Sequence, residues 1–304
     1  MTAQLDRGHM RIDSRTGGGR GIDVRDFSAA AATPDEVALL RRHLYHGKIV
    51  VLAQQALGIA EFVALGAAFG TPVAYYEPMY HHPDSEYVFV SSNVDRDTGR
   101  VGVPRTGAFW HSDYQFMPEP FAVTCFYPQR LPAAGRGTYF IDMARAYRRL
   151  SPRLRTAIEN TYCRHSARRY VKIRPEDVFR PLGEVIAEVE HRTPPQRHPT
   201  VLRHPVSGER VLYISEAFTY AIEDASGKAL PGTLLSELLA ESGQLDDSCS
   251  HANIFLQSYE PGDLVLWDNR TLVHRALHNP GNDRTESYRV TVLDEFPLTS
   301  EAVV

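Results

Sequence analysis

The chain is poor in cysteine, in tryptophan and in uninterrupted apolar sequence. Its three cysteines, Cys125, Cys163 and Cys249, stand far apart among 304 residues with no CxxC pair. That excludes a disulfide framework and makes a reducing, cytoplasmic setting the expectation. No stretch approaches the ~20 apolar residues of a membrane-spanning helix. The opening MTAQLDRGHMRIDSRTGGGRGIDV has no apolar signal core, so secretion is not expected either. Basic charge is not in excess: 33 Lys+Arg face 37 Asp+Glu, a net charge of −4. Nucleic-acid and anionic-membrane surfaces need a sustained basic footprint, so neither partner is expected. An anionic ligand must instead be held by local positive charge in a pocket.

What the chain does have is 43% hydrophobic residues, 13 histidines and 15 tyrosines. The first supports a sizeable core. The others can hold chemistry, because His is the commonest metal ligand and Tyr can donate to a bound anion. The length would allow two domains of roughly 150 residues, although large barrels and sandwiches use it for one. Residues 14–20, SRTGGGR, cannot bury apolar surface, so residues 1–20 are expected to form a flexible lead-in to a single domain over 21–304.

Thr33-Pro34-Asp35-Glu36 carries a helix-start signature, an N-cap, a proline in the first turn and a capping-box Glu. Val37, Leu40 and Leu44 give that helix one apolar face, and Gly47 is expected to end it. KIVVLA (48–53) reads as a buried strand and residues 60–68 as a second helix. The Tyr75-Tyr76-Glu77-Pro78-Met79-Tyr80 run lacks periodicity and reads as a tyrosine-rich loop. Beyond it come short strands at 86–92, 121–127, 137–142, 253–259, 262–268 and 288–296, and a hairpin at 206–215. Helical insertions are expected near 142–162 and 232–242. Many short strands without regular strand–helix alternation favour a mainly β barrel or jelly roll over a parallel α/β sheet.

In Trp110-His111-Ser112-Asp113 the period-2 spacing points His111 and Asp113 to one face of an extended segment, where they can chelate one ion. HxD alone is a weak signal. The chain holds a second copy, His82-Pro83-Asp84, whose proline favours a turn and whose surroundings suggest no third ligand; it reads as a solvated loop. The first copy gains weight from a distant segment, Trp267-Asp268-Asn269-Arg270, followed by Thr271-Leu272-Val273-His274.

Together these motifs resemble the taurine/2,4-D dioxygenase-like (TauD/TfdA) family of Fe(II)/2-oxoglutarate oxygenases. The resemblance implies a distorted double-stranded β-helix with His111, Asp113 and His274 as the 2-His-1-carboxylate iron ligands. Such a triad leaves positions open for a 2-oxoacid and O2. It further implies that Arg289, fifteen residues after His274, clamps the distal carboxylate of 2-oxoglutarate, assisted by the Thr138 hydroxyl. Alternation with Val290 and Val292 leaves Arg289 either an outward charge or a buried anion clamp; the resemblance favours the clamp.

Longer segments carry a narrower resemblance. AYYEPMYHHP (74–83), VSSN (90–93), GVPRTGAFWHSDYQFMPEPF (102–121), RGTYFIDMARAY (136–147), YVKIRPEDVFRP (170–181) and WDNRTLVHRALH (267–278) are similar to the isonitrile-forming Fe(II)/2-oxoglutarate oxygenases of bacterial isonitrile lipopeptide pathways. The implied substrate is a (3R)-3-[(carboxymethyl)amino] fatty acid, converted to the 3-isocyano acid in two oxidations. Tyr75, Tyr76, Tyr80, Lys172 and His278, with Arg136 and Arg174, are implied substrate contacts. Lys172 and Arg174 alternate with Val171 and Ile173, so an extended segment would point both at one anion. Acyl-carrier or ligase proteins of such a pathway are the macromolecular partners the resemblance admits. Two other readings stand beside this one: a hydroxylase of another small amino or sulfonic acid, and a jelly-roll metal-binding protein without turnover.

Overall fold

The computed structural model describes residues 10–14, 20–96, 99–134, 137–278 and 283–298. Two β-sheets face each other across an apolar layer, with helices on the outside. The large sheet has nine strands, in the order Arg11–Ser14, Ile22–Arg25, Ile49–Leu52, Leu264–Asp268, Val123–Arg130, Glu286–Leu293, Ser85–Ser92 and His81–His82, with Thr71–Pro72 pairing beside Glu286–Leu293. The second sheet runs Ile254–Ser258, Gly137–Asp142, Leu272–Leu277. This is the expected jelly-roll architecture, mainly β with helical insertions.

Period-2 alternation explains why the central strands are apolar throughout. In Ile49–Leu52 and Leu264–Asp268, the residues Ile49, Val51, Val265 and Trp267 meet Phe140 and Leu272 of the second sheet. Their neighbours Val50, Leu52, Leu264 and Leu266 point the other way, under the helices α1 (Pro34–Gly47) and α2 (Ile59–Phe69). Both faces are therefore buried, and each fully buried aliphatic side chain is worth roughly 1.5–3 kcal/mol over an exposed one. Gly66 lets α2 lie close on the sheet, since a Cβ there would come within 2.5 Å of Val290.

The α1 capping box forms as expected: the Thr33 hydroxyl accepts from the Glu36 N–H at 3.3 Å, and the Glu36 carboxylate accepts from the Thr33 N–H at 2.8 Å. The helix ends at Gly47 as expected, and the left-handed turn that follows falls on Lys48 at φ 75°, whose buried ammonium pairs with the half-buried Glu209. The expected 206–215 hairpin is shifted: Val201–Arg203 pairs with Arg210–Leu212, and Val206 and Ser207 lie in the turn, donating to His204 Nδ1. Four residues of the expected lead-in, Arg11–Ser14, form a strand against Ile22–Arg25, and Arg20 pairs with Asp142. Residues 1–9 and 15–19 of that segment lie outside the described residues.

The helices α3 (Met143–Arg149) and α4 (Pro152–Ala157) occupy the first expected insertion, and the second is a single helix over Gly232–Ser242. A further helix, α5 (Leu182–Arg192), had no counterpart in the expectations. It packs beside the Ala167–Tyr170 turn, and its Val185 and Val189 face the tyrosine loop across a small chamber.

Candidate active site

The three expected metal ligands meet. His111 and His274 lie 163 positions apart in sequence, yet exchange two backbone hydrogen bonds, His111 N–H to His274 O at 3.0 Å and His274 N–H to His111 O at 2.7 Å. That bridge sets their rings 4.1 Å apart between centroids. The Asp113 carboxylate lies 3.7 Å from His111 Nε2 and 3.9 Å from His274 Nε2. All three ligand atoms fall within 4.8 Å of one another, and all three side chains are buried. Tyr114, directly after Asp113, sits in the left-handed region at φ 61°, a costly conformation for a bulky residue. Its ring is wedged edge-on against Phe121 and Tyr75, which holds the turn.

Protonation states suit a cation. Burial, then the neighbouring charges, sets them: it lowers the His111 pKa, and with the His111 ring beside it drives that of His274 well below the ordinary value, so both imidazoles stay neutral with lone pairs available. Burial pushes the Asp113 carboxyl up, yet Arg289, His274, His111 and the Thr124 hydroxyl outweigh it and hold it below the usual carboxylate value. Two neutral imidazoles and one carboxylate are the donor set an Fe(II) facial triad requires. His111 Nδ1 bonds Phe109 O at 2.8 Å, which leaves Nε2 for the metal.

Three residues outside the expected set hold these ligands. Asn269 Oδ1 accepts from the Asp113 N–H at 2.8 Å, and its amide donates to Asp113 O at 2.8 Å and Phe121 O at 3.0 Å. Thr124 donates to Asp113 Oδ2 at 2.8 Å. Tyr170 donates to Phe109 O at 3.2 Å, the carbonyl that orients His111. Asn269 and Tyr170 fall inside the motif segments WDNR and YVKIR, but no local pattern distinguishes either from a structural polar residue. Thr124 is one hydroxyl in a β-run.

The triad forms the floor of a cavity open to solvent. Tyr75, Tyr80, Thr138, Lys172 and Arg289 line it. So do Arg105 and Arg169, two cations the sequence reading did not single out. Arg289 extends into the cavity from its strand, bonds Asp113 Oδ1 and lies 4.1 Å from the Phe89 ring centroid, an inward placement. Thr138 accepts from the Tyr259 hydroxyl.

Other expectations change. Tyr76 faces a smaller adjoining chamber, with the Arg192 guanidinium 5.4 Å from its ring centroid. His278 follows the Leu272–Leu277 strand, half-buried, and is not part of the cavity wall. Arg174 does not share an anion site with Lys172. The chain turns at Pro175–Asp177, and the Arg174 guanidinium is taken up by Asp177 at 2.8 Å and Glu188 at 3.1 Å. Two opposite charges outcompete extension of that segment. Arg136 lies outside the described residues. Pro83 and Asp84 form a turn as expected, but His82 ends the strand His81–His82 and is buried rather than solvated, its ring 5.2 Å from that of Tyr288, with Nδ1 accepting from the Asp84 N–H. Cys125, Cys163 and Cys249 are all free thiols. No helix among the described residues is long and apolar enough to cross a membrane.

Comparison with known proteins agrees with this geometry. The family model described as taurine catabolism dioxygenase TauD, TfdA family, matches residues 12–291, and the chain belongs to that family. Enzymes of this family use Fe(II), 2-oxoglutarate and O2, so the protein is a non-haem Fe(II)/2-oxoglutarate dioxygenase. It is 29% identical over 256 residues to pentalenolactone F synthase of Streptomyces arenae, covering 81% of this chain and 83% of that one. It is 31% identical over 259 residues to the (S)-phenoxypropionate/alpha-ketoglutarate-dioxygenase of Sphingobium herbicidovorans, covering 84% of each. Among solved structures, a taurine dioxygenase from Burkholderia xenovorans superposes with a TM-score of 0.71 at 23% identity, covering 95% of this chain and 91% of that one. AAD-2 in complex with Mn(II) and N-oxalylglycine gives 0.70 at 20%, covering 97% and 100%.

Proposed function

We propose that this dioxygenase converts a (3R)-3-[(carboxymethyl)amino] fatty acid to the (3R)-3-isocyano fatty acid. The observation that carries the reading is one cavity that joins the buried triad to the Lys172 ammonium, the Tyr75 and Tyr80 hydroxyls and an aromatic wall. That combination suits a guest with two carboxylates, an amine and an apolar part.

Removing N–CH2–COO⁻ to leave N≡C is a four-electron oxidation. The substrate carboxylate leaves as CO2, and the four hydrogens on N, C and the acid leave in two waters. Two 2-oxoglutarate and two O2 balance it, giving two succinates and two further CO2. Bound iron with 2-oxoglutarate and O2 supplies the oxidising power. The protein's own groups bind and orient. Arg289 and Thr138 hold the distal carboxylate of 2-oxoglutarate by charge-assisted and hydroxyl bonds. Lys172 takes a substrate carboxylate. Burial raises the Tyr75 and Tyr80 pKa values above the ordinary phenol value, so these hydroxyls stay neutral donors.

Anaerobic reconstitution with Fe(II) and 2-oxoglutarate, then admission of O2, tests the reading by product mass. Loss of the glycine carboxylate supports it. Simple addition of oxygen to that or another acid supports instead a hydroxylase, which the differing names of the relatives keep in view.

A further inference from the structure

Among the described residues, the cations Arg105, Arg169, Lys172 and Arg289 line the main cavity, against the carboxylate of Asp113. Arg169 is already occupied. It donates to Glu216 O at 2.7 Å, lies 3.7 Å from the Glu216 carboxylate and stands 5.0 Å from the Phe109 ring centroid. Arg105 and Lys172 are exposed to the cavity mouth, and among the described residues no side chain pairs with either.

Arg105 is held in place by anchors on both sides. The Val103 N–H donates to Val90 O at 3.3 Å, and Val103 O accepts from the Ser92 N–H at 3.2 Å. The Thr106 hydroxyl donates to Ser91 Oγ at 2.8 Å, and Gly107 O accepts from the Ala276 N–H at 2.9 Å. Between them Arg105 takes the left-handed region at φ 52°, a conformation that costs a non-glycine residue energy and persists only where its surroundings enforce it. The segment then passes the triad: a Cβ on Gly107 would lie 3.4 Å from His111 Cε1.

We propose that Arg105 is a specificity determinant that grips the glycine carboxylate of the substrate, while Lys172 takes the C1 carboxylate. The inference rests on the reaction proposed above. Apart from the 2-oxoacid end that the metal takes, that reaction brings the distal carboxylate of 2-oxoglutarate and both carboxylates of the substrate. With Arg169 occupied, Arg289, Lys172 and Arg105 match them one to one. Position divides the last two. Lys172 also borders the small chamber with Tyr75, Tyr76 and Tyr80, which none of the triad lines. Arg105 borders only the main cavity, two residues from Gly107 beside His111. The glycine arm is the part that must lie over the triad, so its carboxylate falls to Arg105, whose planar guanidinium can meet it with two bonds.

The test is anaerobic calorimetric Kd, on enzyme loaded with Fe(II) and 2-oxoglutarate, for 3-[(carboxymethyl)amino]butanoate and for 3-(methylamino)butanoate, which lacks the glycine carboxylate. Arg105→Gln is expected to raise Kd for the first by about tenfold or more, the loss of one charge-assisted pair, and to leave the second within about twofold. Arg105→Lys should recover part of that loss, because it restores the charge without the planar fork, and it keeps the test decisive should Arg105→Gln fail to fold. Equal shifts for both compounds, none for either, or a parallel loss of 2-oxoglutarate affinity overturn the Arg105 assignment, while isonitrile formation by the wild type leaves the proposed reaction standing. A wild type that binds neither compound overturns the reaction and the assignment together.

Discussion

The floor of the cavity and its rim are built differently. On the floor, His111, Asp113 and His274 are 6%, 2% and 6% exposed and are fixed by backbone pairing and by amide and hydroxyl bonds from Asn269 and Thr124. At the rim, residues 170–182 carry Lys172 beside exposed Ile173, Val178 and Leu182 and a Phe179 that is 99% exposed. Their ordering comes from short turns and the Arg174, Arg180, Asp177 and Glu188 ion pairs rather than from a sheet. A rigid floor preserves the iron chemistry shared by the family. A loop-built rim can change its guest without disturbing that chemistry.

If that contrast holds, substitutions on the floor should remove every turnover and those at the rim only the productive one. The largest effect is expected from His111→Ala, which deletes a ligand. Both isonitrile and succinate formation should fall to background, and retention of O2-dependent succinate release would break the contrast. Lys172→Ala should come next: Fe(II) and 2-oxoglutarate binding are kept and isonitrile is lost, with uncoupled succinate remaining. Wild-type isonitrile yield would remove Lys172 from the site.

Asn269→Ala probes the floor without touching a ligand. It strips two hydrogen bonds from the Asp113 backbone and one from Phe121 O, and should weaken metal affinity ~10–100-fold, the range for groups that orient ligands. Co(II) titration followed by absorbance reads that affinity directly, while a melting scan reads the accompanying loss of about 1–3 kcal/mol. A melting shift with unchanged metal affinity would make Asn269 structural only. Tyr170→Phe lies between the regions, since its hydroxyl reaches from the rim to Phe109 O. A rise in the ratio of succinate to isonitrile is expected, with a fall in metal affinity smaller than that of Asn269→Ala; unchanged metal affinity would remove Tyr170 from the groups that hold the ligands. Phe179→Ser should be smallest, within about 0.5 kcal/mol of wild type in denaturant titration, because the side chain buries nothing.

Legibility followed the same division. HxD and a distant His after WDNR were readable because ligand chemistry restricts residue type and because short-range spacing survives folding. The strands 137–142 and 262–268 and the α1 capping box were readable because they obey local periodicity and local hydrogen bonding. Arg174 was misplaced because its partners include Glu188, fourteen positions on and on a helix not foreseen. His82 was expected in water because its ring partner Tyr288 is over two hundred positions away.

By itself, then, the sequence determined a mainly β chain and the His111, Asp113 and His274 set that the fold brings together. Residue chemistry and local period carry that information. Tertiary structure alone decided that His111 and His274 pair through their backbones, that Asn269 and Thr124 hold Asp113, and that Lys172 stands where two cavities meet while Arg174 turns away. Each of those contacts joins positions whose proximity arises only when the sheets stack, which no window of neighbouring residues encodes.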